Sequence, residues 1–259
     1  MKIAVSNLPY QGLFTNRLIK LPQELGIEIY SETGSDFYWA HLLPRLMAGR
    51  KGSLSVHGPY QTIDLSSPKQ DFEEVKGAYE WTFMLCRKYL AKHCICHPYA
   101  YHPIGAMDES EILARRQLCI DRINELNTLA KTYGVDLLIE NMANKDGLLS
   151  QQTFWELFGP FQDLNFLIDL GHANIQGWDI HEMFEQLGSR IHAYHVNDNF
   201  GDSDSHLMAF EGSFDWDSFF SGYKKYTPEA ALVCEYMRGT VDEIVASVES
   251  IKSRLTHAE

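Results

Sequence analysis

Basic residues are in short supply in this chain. Its 22 Lys and Arg stand against 35 Asp and Glu, a formal net charge of -13. A surface this acidic repels phosphate backbones at long range, so no nucleic-acid partner is expected. Cysteine is sparse and odd in number. The five residues, Cys86, Cys94, Cys96, Cys119 and Cys234, fit neither a disulfide ladder nor paired CxxC knuckles. They read as buried free thiols of a reducing cytoplasm. Long apolar runs are missing, and none approaches the ~20 residues of a membrane span. Met1 leads straight into "KIAVSN" without the charged and apolar blocks of a secretory leader. No GxGxxG follows the first apolar run, which removes the usual dinucleotide signature. A cytoplasmic protein with no membrane partner is the expectation.

What the chain does have is 45% hydrophobic content over 259 residues, enough for one large core. Eight short apolar runs recur: "IAVSN" (3–7), "GIEIYSE" (26–32), "SLSVH" (53–57), "HCICH" (93–97), "VDLLIEN" (135–141), "NFLIDLGH" (165–172), "IHAYHVND" (191–198) and "ALVCEY" (231–236). Longer stretches with apolar residues at three- and four-residue steps separate them, such as "ESEILARRQLCIDRINELNTLAKTYG", which closes on Gly134 as a helix stop. Eight strand–helix alternations are the pattern of an α/β protein built as a single (β/α)8 TIM barrel over residues 1–259. A doubly wound open sheet is the competitor, and the count of eight favours the barrel.

Barrel active sites form where the strands end, because the following loops converge there. The third run ends in His57, the fourth in His97 and the fifth in Glu140. The sixth carries Asp169 with His172 just beyond. The seventh carries His195, with Asp198, Asp204 and His206 in its loop, and the eighth carries Glu235. One such residue carries little weight, since a lone strand-end His is ordinarily a satisfied structural residue. Six successive strands aiming imidazoles and carboxylates at one mouth need cations between them. That ligand set suits zinc, manganese, iron or cobalt. Period-two alternation places His93, Ile95 and His97 on one face and Cys94 and Cys96 on the other. It also separates His195 from His192, which is assigned to the helical layer. His41, His93, His181 and His257 read as non-catalytic, and His102 is left open. Tyr10, Tyr60, Tyr99 and Trp178 are candidates to wall a sugar pocket, with ordinary loop packing as the alternative. Glu32 is a candidate to bind a hydroxyl or to be solvated.

At these residues the chain resembles the xylose isomerase-like TIM-barrel superfamily of sugar isomerases, epimerases, dehydratases and apurinic endonucleases. The segments concerned are "VHGPYQTIDLSSP", "CHPY", "LIENMAN", "LIDLGHANIQG", "HVNDNFGDSDSHLMAFEGSFDW" and "LVCEYM". The resemblance implies one ion on His57, His97 and Glu140, a second on Glu140, Asp169, His195 and Glu235, and a third on His172, Asp204 and His206. An epimerase would use only the second group, with Glu140 and Glu235 as its catalytic acid/base pair. The number of divalent ions is therefore one to three per chain. Two departures stand out. The family's first glycine after the D-x-H is Phe210 here, ahead of Glu211 and Gly212. The βα loops lack basic insertions, and the one basic cluster, "PRLMAGRKG" (44–52), belongs to the opposite end of the barrel. The implied activity is a metal-dependent isomerase or epimerase of a small sugar or sugar phosphate, in a possible homodimer. The alternative is a multinuclear phosphoester hydrolase. A degenerate barrel keeping a residual metal is a third and weaker option.

Overall fold

Eight parallel strands close into a barrel in this computed structural model, which describes residues 2–32, 34–100, 107–143 and 148–257. The strands are β1 (Ile3–Ser6), β2 (Gly26–Tyr30), β3 (Leu54–His57), β4 (Cys94–Cys96), β5 (Leu137–Glu140), β6 (Asn165–Asp169), β7 (Ile191–Val196) and β8 (Ala231–Cys234). Each pairs with its sequence neighbours, and β8 closes on β1. The outer layer holds α1 (Asp36–Met47), α2 (Phe72–Tyr89), α3 (Glu109–Tyr133), α4 (Gln151–Phe158), α5 (Leu170–Gln176), α6 (Ile180–Leu187), α7 (Trp216–Tyr226) and α8 (Val241–His257). After β1 the chain makes a 3-10 helix, Gly12–Lys20, in place of an α-helix.

The sixth apolar run is divided between two elements. It stays extended to Asp169, whose carboxylate accepts the backbone N–H of His172 at 2.7 Å and so caps α5. Helix α3 is bounded as its sequence dictates: Asp108 caps its start, and Gly134 ends it in the left-handed region at φ 71°.

Alternation along the strands sorts the side chains into two layers. Ile95, Leu138, Leu167 and Ala193 point inward and form a small apolar plug inside the barrel. Cys94, Cys96, Ile27, Ile29, Leu232 and Cys234 point outward into the large core beneath the helices. All five cysteines are buried and unpaired. The basic cluster ahead of β3 has a structural use. Arg50 donates to the carbonyls of Leu18, Pro22, Leu25 and Leu46, tying the end of α1 to the turn before β2. Among the described residues, no helix is long and apolar enough to cross a membrane.

The plug supports the mouth above it. Leu138→Ala leaves a void that its β-strand neighbours cannot fill, and a loss of about 2–5 kcal/mol is expected. Urea unfolding of the two proteins measures it, and a loss below about 1 kcal/mol would show that the interior relaxes and does not serve as a rigid floor.

Candidate metal centre

The strand ends deliver the ligands in sequence order. His57 ends β3, Glu140 ends β5 and Asp169 ends β6, while His97 and Glu235 stand one residue beyond β4 and β8. His195 is the penultimate residue of β7. His172 lies in the first turn of α5, held there by the Asp169 cap. Asp204 and His206 come from the loop after β7, which is folded back by an antiparallel bridge between Asp198 and Leu207. Gly171 is required by closeness: a Cβ there would stand 1.9 Å from Asn197 Oδ1. His206 has φ 43°, a left-handed backbone uncommon for a side-chain-bearing residue and a form of strain that gathers at functional sites.

All nine sequence-predicted ligands meet in three groups: His57, His97 and Glu140; Glu140, Asp169, His195 and Glu235; His172, Asp204 and His206. Within each group the ligand atoms lie within 4.8 Å of one another. Glu140 joins the first two. Its Oε2 faces His97 Nε2 at 3.0 Å and His57 Nε2 at 3.4 Å, while its Oε1 faces His195 Nδ1 at 3.0 Å. His195 Nδ1 also faces Glu235 Oε2 at 3.2 Å and Asp169 Oδ2 at 3.6 Å. Asp204 Oδ2 lies 3.4 Å from His172 Nε2 and 3.2 Å from His206 Nε2.

Most of these imidazoles are oriented by a backbone carbonyl. His57 Nδ1 bonds Gly58 O at 2.8 Å, His172 Nδ1 bonds Asn141 O at 2.7 Å, and His206 Nδ1 bonds Glu235 O at 2.9 Å. Each bond leaves Nε2 aimed into its group. His97 Nδ1 and Asp204 Oδ1 are buried with no partner. Imidazole nitrogens and carboxylate oxygens in this arrangement fit a divalent transition metal.

Electrostatics separate the two glutamates. Burial presses the Glu140 carboxyl upward, but His195 and His97 outweigh it and hold the group well below the usual carboxylate range. Burial dominates at Glu235 and leaves it above that range. Burial also works against protonated imidazoles. Asp169 and Asp204 override it at His172, which is held well above its ordinary value, and Asp204 and Glu235 do so at His206, pushed up to about 9.

Of the four aromatics weighed as pocket walls or as ordinary loop packing, Tyr60 borders the mouth. It lies at 5.1 Å from the His57 ring and 4.9 Å from the His97 ring. Tyr10, Tyr99 and Trp178 are buried in the core under the helices instead, Trp178 stacked edge-on against Trp155. Tyr10 and Tyr99 follow β1 and β4, and Trp178 follows α5, yet all three rings lie in the apolar core. Glu32 contacts the protein itself: its Oε1 accepts the backbone N–H of Tyr60 at 3.2 Å. His41 and His181 are exposed, and His192 is half-buried on Asp136 Oδ2 at 2.5 Å. Burial lowers His93 to about 4. His102 and the side chain of His257 lie outside the described residues.

Two functional groups escaped the sequence reading, both on β2. Tyr30 stacks on His57 with ring centroids 4.5 Å apart, and its hydroxyl donates to Glu235 Oε1. Glu28, fully buried, bonds His195 Nε2 at 2.8 Å. The signal available was alternation, since Gly26, Glu28 and Tyr30 share the inward face of "GIEIY". Tyr30, Tyr60, Leu8 and Met237 join the ligands around a cavity of about 220 Å³. A wider hollow of about 420 Å³ opens at the opposite end of the barrel. Its acids are already partnered, Asp136 by His192 and Glu229 by Lys2.

The Phe210 departure is also explained. Phe210 keeps the left-handed backbone, at φ 75°, where the resemblance calls for glycine. Its ring packs against Trp216 at 5.0 Å and lies under Arg254. Gly212 retains its place because a Cβ would meet Asn199 O and Asp198 Oδ1, each at 2.3 Å.

The family described as xylose isomerase-like TIM barrel matches residues 26–254. Three solved structures are similar over almost the whole chain. A D-tagatose 3-epimerase-like protein superposes with a TM-score of 0.83 at 21% identity, covering 100% of this chain and 98% of that one. The IOLI protein with a bound zinc atom gives 0.81 at 14% identity, covering 98% of each. A D-psicose 3-epimerase of Clostridium cellulolyticum H10, solved with D-tagatose, gives 0.78 at 17% identity, covering 98% of this chain and 99% of that one. At these identities the likeness carries the fold alone.

The raised His206 value sets a pH dependence. A folded-state pKa above the unfolded ~6.5 gives stability that is complete below ~6.5 and is lost as pH rises through about 9. Chelator-treated protein is therefore expected to melt lower at pH 9.5 than at pH 6.5. Ion binding runs the other way, because imidazoles must shed protons to bind. Zinc affinity should climb between pH 6.5 and 8.5, and calorimetry in buffers of different ionisation enthalpy should register proton release at pH 7. Binding without proton release would contradict this picture of the cluster.

Proposed function

Because the chain belongs to the xylose isomerase-like TIM-barrel family, we propose that it is a divalent-metal-dependent isomerase or epimerase of a small sugar or sugar derivative. One observation carries the reading. Glu140 and Glu235 reach the same nitrogen, His195 Nδ1, from β5 and from the end of β8, at 3.0 and 3.2 Å, and both border the cavity. Two carboxyls flanking one binding point are what proton removal and return require.

Glu140, Asp169, His195 and Glu235 would hold the ion, which supplies the Lewis acidity that polarises a substrate carbonyl and acidifies the neighbouring C–H. One of Glu140 and Glu235 takes a proton, and the other returns one at the adjacent carbon or on the other face. The Tyr30 hydroxyl, donating to Glu235 Oε1, keeps that carboxyl turned toward the cavity. Tyr60, anchored through Glu32, provides an aromatic wall beside His57 and His97. The cavity, about 220 Å³, is of a size that suits a small polyol. The D-tagatose 3-epimerase-like protein and the D-psicose 3-epimerase among the similar structures support a sugar substrate, and the zinc of IOLI supports the ion.

A second reading has its own support. A one-ion epimerase has no need of His57, His97, Asp204 and His206 together, yet all four are placed around the mouth. A multinuclear phosphoester hydrolase would use them to clamp a phosphate and to generate hydroxide.

The test is solvent exchange. Loaded with manganese or zinc and offered a panel of ketoses and ketose phosphates in D2O, the protein should wash deuterium into one carbon. Glu140→Gln and Glu235→Gln should each slow the wash-in by about 10²–10⁴-fold. His206→Ala should spare it. Absence of exchange with every sugar, together with cleavage of a small phosphodiester that His206→Ala abolishes, would replace the isomerase by the hydrolase. Metal analysis adds a second check, because a single ion per chain leaves the hydrolase without its clamp.

A further inference from the structure

His195 differs from the other ligating imidazoles in how it is held. His57, His172 and His206 rest Nδ1 on a backbone carbonyl and present Nε2. His195 is turned the other way. Its Nε2 bonds Glu28 Oε1 at 2.8 Å, and its Nδ1 is the atom presented to Glu140, Glu235 and Asp169. Glu28 is thus the one side chain that orients a ligating imidazole from behind among the described residues.

Glu28 is fully committed to that position. Its second oxygen, Oε2, accepts from Ser55 Oγ at 2.8 Å, and Ser55 is its paired residue across β2 and β3. The carboxylate is 0% exposed and reaches across the barrel interior from β2 to β7. It does not border the cavity, so it touches no substrate. An apolar side chain would fill this space without the heavy cost of burying a carboxylate, so packing alone does not account for a glutamate here.

We infer that Glu28 is the positioning residue of the metal centre: by accepting the Nε2–H of His195 it leaves the Nδ1 lone pair facing the point where Glu140, Asp169 and Glu235 would hold an ion. The tautomer argument is direct. Ion binding requires the neutral imidazole, and with its one proton on Nε2, Nδ1 would turn a lone pair toward three carboxylate oxygens at 3.0–3.6 Å. Four acceptors converging on one point repel one another unless a cation lies between them. A carboxylate behind a ligating imidazole fixes its ring and strengthens it as a donor. This inference rests on the proposed metal site and is independent of which reaction that site performs.

The experiment compares wild type, Glu28→Gln, Glu28→Leu, Ser55→Ala and His195→Ala. Zinc is titrated in competition with a chromophoric chelator, and cobalt-loaded samples give visible spectra. The binding step lost in His195→Ala marks the affected site. Glu28→Gln is expected to weaken that step by about 10–100-fold and to alter the cobalt spectrum, leaving the step at His172, Asp204 and His206 unchanged. Ser55→Ala should weaken the same step by less. Glu28→Leu should weaken it by more, and if it fails to fold the other two variants decide. Wild-type affinity at every step in Glu28→Gln would overturn the inference, as would a lower melting temperature with affinity unchanged. Wild-type protein that binds no zinc or cobalt would overturn the metal site itself. Weakened binding in a protein that isomerises no sugar would leave this inference standing and remove only the reaction.

Discussion

Four carboxylates and five imidazoles crowd the end of one barrel, and their mutual charge is the constraint that the rest of the structure answers. Glu140, Asp169, His195 and Glu235 are at most 2% exposed. Burial on this scale is tolerated only where each charge has a partner. The imidazoles serve as partners to the carboxylates, which hold His172 and His195 well above their ordinary values despite burial that pushes them down. A divalent cation answers the same need more strongly, since one ion faces several carboxylates at once. The apolar plug of Ile95, Leu138, Leu167 and Ala193 keeps the ligands at the rim. It closes the floor below them, so the charges cannot relax downward into the barrel.

Much of this was legible in the sequence because barrel geometry is periodic. All eight apolar runs became strands, and every predicted ligand except His195, the penultimate residue of β7, stands at or beyond a strand end. Alternation separated His97 from Cys94 and Cys96 without any knowledge of neighbours, because a strand offers only two faces. The boundaries were less legible. "NFLIDLGH" reads as one continuous apolar stretch, and only the capping bond from His172 N to Asp169 divides it into strand and helix. That bond depends on where the chain turns, which residue hydrophobicity does not encode.

Parts of the site stayed hidden for a different reason. Strand-end position was the criterion, and it passes over side chains lower in the barrel. Glu28 lies two residues before the end of β2, in "GIEIY", where it reads as an ordinary half-solvated strand residue. Its importance arises from β7, on the other side of the interior. Tyr30 passed unnoticed for a similar reason, since a strand tyrosine is usually core. The aromatic wall failed in the opposite sense. Tyr10, Tyr99 and Trp178 sit in mouth loops by sequence, yet large rings are drawn to the nearest apolar layer, and here that layer is the underside of the helices. Proximity along the chain to a strand end fixes where a backbone is, and a loop residue has no alternation to fix where its side chain goes.

Glu140 links the single-ion and three-group views of the centre. Its Oε1 serves the group around His195, and its Oε2 serves His57 and His97. A carboxylate shared in this way makes the two groups electrostatically dependent. Once Glu140 is neutralised by a cation on one side, it attracts less strongly on the other. The group with three carboxylates has the larger negative charge and would hold a cation most strongly. The pair of imidazoles behind Glu140, with one of them drawn to neutrality by burial, then faces a weaker carboxylate. His172, Asp204 and His206 depend on a carboxylate of their own and escape this competition. A site with nine ligands can therefore act with one tightly held ion and weaker outer positions, so a full ligand set does not by itself decide between proton transfer and phosphoester cleavage.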